Sequence, residues 1–255
     1  MSTSQFASAV KLSSLYVNGL GISYASTTTL TVDVGAAKDP TLSFDITVSS
    51  ALTLNSAHVG ANGMDVAGGL SASSCIYIYL IMDVSGKNLP AVIGSLTGPA
   101  TGPVIPFNFS NVNVVFLGVW FTDGSSHFVA GIKQVGSKNT RQYFYETPLE
   151  VLTAGSATSF TAVDLSPAVP VIADVPVSMV TTFTPATAAD SFSLRPTGSA
   201  ATVCVYGSGV VAAKAQVGQV NVVSRIASGV PKIDYLNSAG SGALNLKVCG
   251  FTLYI

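Results

Sequence analysis

The sequence predicts an all-β protein: two β-sandwich, jelly-roll-like domains preceded by a short N-terminal arm. Three observations predict it. Apolar residues recur with a period of two, turn-forming residues interrupt them roughly every ten positions, and no segment holds a helical period for three turns. The nearest approach to a helix, SQFASAVKLSSLY near the start, is short and reads equally well as extended chain, so residues 1–27 are assigned to the arm.

The first domain is expected over residues 28–146. In TLTVDV, residues 29–34, Leu30, Val32 and Val34 share one parity and are expected to point inward. FDITVSSALTL follows the same rule over residues 44–54, with Phe44, Ile46, Val48, Leu52 and Leu54 on one side and Asp45, Thr47, Ser49 and Thr53 on the other. CIYIYLIM (75–82) and VNVVFLGVWF (112–121) are apolar at both parities, as a strand covered on two faces must be. Between these runs stand turn-forming stretches: NGMD at 62–65, DVSGKNLP at 83–90 and TGPATGPVIP at 97–106. RQYFYET reads as a last strand, which places a boundary near 145–153 and the second domain at 147–255. There SGVP (228–231) and NSAGSG (237–242) mark turns. In the closing LNLKVCGFTLYI, Leu244, Leu246 and Val248 share one parity and Phe251, Leu253 and Ile255 the other. The switch at Cys249–Gly250 predicts a bulge.

Composition narrows the function. Of 255 residues, 48% are hydrophobic and only 9% charged, where a soluble protein carries roughly 25%. A surface so poor in ions must be wetted by hydroxyls and amides or covered by other subunits. The net charge is −1, and basic residues such as Lys38, Lys87, Lys133, Lys138, Arg141 and Arg195 are scattered singly, so no row of phosphates would be neutralised and no nucleic acid is expected as a partner. Mean hydropathy is positive. Yet the longest apolar runs fall far short of the ~20 residues of a spanning helix, and membrane insertion is not expected. The start lacks the basic and apolar blocks of a secretion signal, so synthesis in a cytoplasm is expected. Cys75, Cys204 and Cys249 are odd in number and lie far apart, arguing against a disulfide framework and for buried thiols.

The densest group of chemically capable residues is GVWFTDGSSHFVAG, residues 118–131, with Asp123, Ser125 and His127. Two strands folding back around an Asp-Gly turn account for all three, whereas a catalytic triad is assembled from distant segments. His58 and His127 are the only histidines, and neither has a partner at metal-ligand spacing. No nucleophile-elbow pattern occurs, and GLG at 19–21 lacks the later glycine of a dinucleotide site. The twelve carboxylates are spread evenly. The expectation is a non-enzymatic chain with no catalytic residue, no cofactor-binding residue, no metal ligand and no cofactor. Tyr77, Tyr79, Trp120, Phe121, Tyr143, Phe144 and Tyr145 are the candidates for a sugar-stacking face, with core packing the stronger reading because they lie inside apolar strands. Loops 55–70 and 85–106 are expected to carry any recognition.

The succession TTTLTVDVGAAKDPTLSFDITVSSALTLN, ANGMDVAGGLSASSCIYIYLIMDVSG and FLGVWFTDGSSHFVAG, followed by TPLEVLTAGSATSFTAVDLS and FTPATAADSFSLRPTGSA, resembles structural proteins of tailed-bacteriophage virions. The likeness runs over most of residues 28–255 and rests on turns and core strands. Cys75 and Ile76 stand where that pattern has a Thr-Trp pair. The resemblance implies a passive part of the virus particle, made in the host cytoplasm and residing in the virion. A tail fibre or appendage contributing to host attachment is the first expectation, and a capsid decoration (cement) protein stabilising the phage head is the alternative. A homotrimer is expected, with other virion proteins met through the arm and a host surface glycan or receptor met by distal loops. A polysaccharide-degrading spike fits least, since no repetitive β-helix pattern is present.

Overall fold

A computed structural model of the chain describes residues 17–39, 45–68, 70–83, 85, 88–109, 112–136, 138–200, 205–209 and 211–255. Residues 1–16 of the expected arm, with its helix candidate, lie outside the described residues, as do Phe44 and Cys204. The protein is all-β: the described residues form nineteen strands and no helix. They run β1 (Val17–Gly19), β2 (Ile22–Ser26), β3 (Thr29–Val32), β4 (Gly35–Lys38), β5 (Asp45–Val48), β6 (Leu52–Asn55), β7 (Gly63–Met64), β8 (Cys75–Asp83), β9 (Ala91–Ser95) and β10 (Val112–Phe121). After these come β11 (Ile132–Val135), β12 (Thr140–Gly155), β13 (Thr161–Asp164), β14 (Val175–Thr184), β15 (Ser191–Pro196), β16 (Val205–Ser208), β17 (Gln216–Ala227), β18 (Val230–Asn237) and β19 (Ala243–Tyr254). Residues 17–26, assigned to the arm from sequence, are thus β1 and β2.

The chain divides into two compact units, Met1–Gln142 with Leu253–Ile255, and Tyr143–Thr252. Residues 145–153, where the sequence suggested a boundary, lie within β12. In the first unit β1-β4-β5 and β2-β3-β6 form two three-stranded antiparallel sheets, and β10-β8-β9-β7 a four-stranded one. β8 is central, antiparallel to β10 and β9, and its residues 76–81 are buried at both parities, as its unbroken apolar run requires. Gly94 of β9 lets Leu54, Met64 and Ile76 close in; a Cβ there would stand 2.8 Å from the Met64 sulfur.

Two expectations change here. FDITVSSALTL is not one strand: β5 pairs with β4 and β6 with β3, in different sheets. Its inward parity survives the break, since Ile46, Val48 and Leu54 are all buried. Val34 is exposed, unlike Leu30 and Val32, because β3 ends at Val32. The backbone there turns to bond Gly21 and Leu20, with Asp33 N–H donating to the Gly21 carbonyl at 2.9 Å.

The second unit is built on one sheet, in the order β12-β19-β14-β17-β18-β15-β16, with β13 added on β18. β14 alternates strictly between buried and half-buried residues. β17 and β18 are joined by Ser228 and Gly229, both at positive φ (53° and 79°), the turn whose twist matches a two-residue hairpin. In β19, Met179 pairs with Val248 and Ser178 with Gly250, leaving Cys249 as the extra residue of a bulge. Leu244, Leu246 and Val248 before it, and Phe251 and Leu253 after it, are buried, as the parity switch foretold.

Candidate functional site

The Asp123 cluster is a turn. Asp123 N–H donates to the His127 carbonyl at 2.8 Å, and one Asp123 carboxylate oxygen accepts from the backbone N–H groups of Ser125 (2.8 Å) and His127 (2.9 Å). These two bonds, His127 first, hold the carboxyl below its ordinary range. The His127 ring nitrogen stands 3.8 Å from the other oxygen, and both side chains are about half exposed. Ser126 takes the left-handed conformation (φ 61°) that the reversal needs. The returning side is a single bridge, Thr122 with Phe128, and not the strand that HFVA suggested. A carboxylate committed to two backbone donors in an open turn fixes the geometry of the reversal.

The aromatic candidates are core residues. Tyr77, Tyr79, Trp120, Phe121, Tyr143 and Tyr145 are buried, and Phe144 alone among them is exposed. The Trp120 indole N–H is satisfied by the Val129 carbonyl at 3.0 Å. Burial, followed by the nearby Tyr77 and Asp65, pushes the Tyr79 phenol upward, and its hydroxyl donates to the Thr97 carbonyl at 2.8 Å. Among the described cysteines, Cys75 and Cys249 are free and half-buried, less enclosed than expected. Desolvation raises the Cys75 thiol despite a hydrogen bond with Tyr77, so it is a poor nucleophile. Among the described residues, His, Cys, Asp and Glu side chains form no group of three or more that would hold a metal ion. No described helix is long and apolar enough to cross a membrane.

What the first unit offers instead is a loop surface on a fixed frame. Asp65, buried, joins its two long loops: one carboxylate oxygen accepts from Ser95 Oγ at 2.6 Å and from the Val104 N–H at 3.1 Å. Asn62, at φ 62°, exchanges bonds with the Val92 backbone through its own N–H and its side-chain oxygen. Asp83 anchors the next loop by accepting from the Ser85 N–H and the Asn88 amide, and that amide also donates to the Asn108 carbonyl. On this frame Val59, Val66, Leu96 and Val104 are exposed, Leu89 is 85% exposed and Phe107 fully so. Holding apolar groups in water on braced loops costs free energy, and a partner surface recovers it. Loops 55–70 and 85–106 were singled out from sequence; their apolar tips were not, because burial cannot be read from residue type.

No family model matches the chain, and no curated protein does. Among solved structures, a carbohydrate-binding module of Cellvibrio mixtus lichenase 5A, in complex with cellotriose, aligns with a TM-score of 0.22 and 13% identity over 49% of this chain and 88% of the module. A Bacillus thuringiensis Cry1Da tryptic core variant aligns with a TM-score of 0.18 and 7% identity over 93% and 51%. Overlaps this slight carry no argument about function.

Proposed function

We propose that the chain is a non-enzymatic structural protein of a tailed-phage virion, an appendage subunit that assembles as a trimer and contributes to host attachment. The observation that carries this reading is the set of apolar side chains, Phe107, Leu89, Val104 and Val59 foremost, held out on loops that hydrogen bonds keep in place. Such a surface suits a subunit that covers it against neighbouring copies. The scarcity of charge supports the same reading, and so does the succession of motifs that resembles virion proteins; of these TDGSS is a turn in this fold, whereas NGMD, expected as a turn, carries the short strand β7 at Gly63–Met64.

The test is binding. Purified protein is expected to label host cells and to block infection by the phage. Protein that binds only empty heads and leaves infection untouched would move the assignment to capsid decoration, and release of reducing ends from host capsule would make it a depolymerase. Docking on the particle is assigned to the expected N-terminal arm, residues 1–27, of which residues 17–26 carry β1 and β2.

A further inference from the structure

One strand edge of the second unit stands apart from the others. β17 pairs with β14 from Gln216 to Ser224 in unbroken register, but with β18 only from Arg225 to Ala227. Over Val217–Val223 its other edge therefore has no strand partner among the described residues, and backbone N–H and C=O groups point away from the sheet. Exposure agrees: Val217 is 74% exposed, and Gly218, which has only backbone to present, is exposed as well. The remaining edges of this unit carry features that discourage strand addition. β13 and β16 have four residues each, and β12 carries Glu146, Pro148 and Glu150 on the stretch that follows Tyr145. The sequence VGQVNVV of the β17 edge has no charge, no proline and no bulge. Such an edge is a template for another strand.

The pattern along the edge identifies that strand. Val222 and Ser224 point into the unit and are buried, so Gly218 and Val220 share the inner face, and Val217, Gln219, Asn221 and Val223 the outer one. Residues directly opposite in an antiparallel pair lie on one face. Laid antiparallel on itself about Val220, the stretch sets Val217 opposite Val223 and Gln219 opposite Asn221 of a second copy. Apolar then meets apolar, and amide meets amide, a group that both donates and accepts. On the inner face Gly218 stands opposite Val222, small against large. A slide of two residues would set Val217 against Asn221 and lose the match. We propose that β17 is a contact between copies of this chain, two strands pairing about a two-fold axis at Val220 so that β12-β19-β14-β17 of both run as one sheet. This contact goes beyond the attachment reading and is separate from the loop surface of the first unit. Seven residues of edge bury well under about 1,200 Å², the lower bound of stable interfaces, so the pairing is weak and forms at high protein concentration. In dilute solution the loop surface alone sets the oligomer.

The experiment measures backbone amide hydrogen exchange along the full chain as protein concentration is raised, with β14 as the internal reference. The outward-pointing amides of Val217–Val223 are expected to slow by about tenfold at the highest concentrations, while those of β14 stay constant. Exchange at this edge that does not depend on concentration overturns the proposal, with no variant needed. Gln219→Lys combined with Asn221→Lys brings like charges opposite each other across the axis and should abolish the slowing with an unchanged melting temperature. Gln219→Lys combined with Asn221→Asp sets opposite charges there and should restore it. Slowing that persists in the double-lysine chain would show that some other surface covers β17, and a Lys/Asp chain that behaves like the double-lysine chain would show that Gln219 and Asn221 do not face each other. Either result overturns the self-pairing.

Discussion

Arg141 shows how a chain poor in ions uses one deep inside. It is fully buried, and its guanidinium donates to the carbonyls of Gly136 (2.6 Å), Gly19 (2.6 Å) and Leu20 (3.4 Å), tying the β1–β2 turn to the β11–β12 hairpin within the first unit. Arg141→Met keeps the length and removes the donors. It should lower the unfolding free energy by about 3 kcal/mol in a urea titration, and a loss below about 1 kcal/mol would show that the clamp is dispensable. Asp190 makes a second, pH-dependent clamp. Its carboxylate accepts from the Thr187 N–H (2.9 Å), the Thr187 hydroxyl (2.7 Å) and the Ala186 N–H (2.8 Å), and these donors, the Thr187 N–H first, hold it below the usual carboxylate range. A lowered folded-state pKa contributes stability that is fully present above the unfolded value, about 3.9, and is lost as pH falls through the lowered one. Asp190→Asn should therefore be the less stable chain at neutral pH and converge on the parent towards about pH 2 in thermal melts. Parallel curves across that window would remove Asp190 from the account.

At the scale of elements, the bulge in β19 has a sharp consequence. A Cβ on Gly250 would run into the carbonyl oxygen of Tyr143, and the Tyr143 ring stacks on Phe251 at 4.5 Å. Gly250→Ala should cost about 2–4 kcal/mol by chemical denaturation, whereas Gly124→Ala, in the open turn where a Cβ meets nothing, should cost far less. This bulge was legible in the sequence because it reverses the side-chain parity of a strand, and parity is what a sequence displays. The doubly covered β8 was legible for the same reason. The division of residues 44–54 was not: β5 and β6 keep one parity while pairing with β4 and β3 in different sheets, and a sequence displays parity but not the partner strand. Neither was the inward placement of Gln216 and Gly218 legible, since they become core-facing only once β17 is registered against β14. The Asp123 turn was readable as a turn, but its positive φ sits on Ser126, two residues after Gly124.

For the whole molecule, the proposed function makes the exposed apolar loops of the first unit a surface to be covered by copies of the same chain. Charge is scarce, and hydrogen bonds of Asp65 and Asn88 tie down the loops that carry these side chains. Phe107→Asp, placed on a fully exposed side chain, should leave the monomer folded and weaken association, so that the variant sediments as a smaller species than the parent at equal concentration. Removal of residues 1–16, which leaves β1 and every other described strand whole, should abolish incorporation into particles and leave the oligomer intact. Most direct is the solution mass of the unmodified chain by sedimentation velocity. A trimer of 25.9 kDa subunits, about 78 kDa (3 × 25.9), is the expected result. A species that stays at the single-subunit mass at high protein concentration, fully soluble, would contradict it.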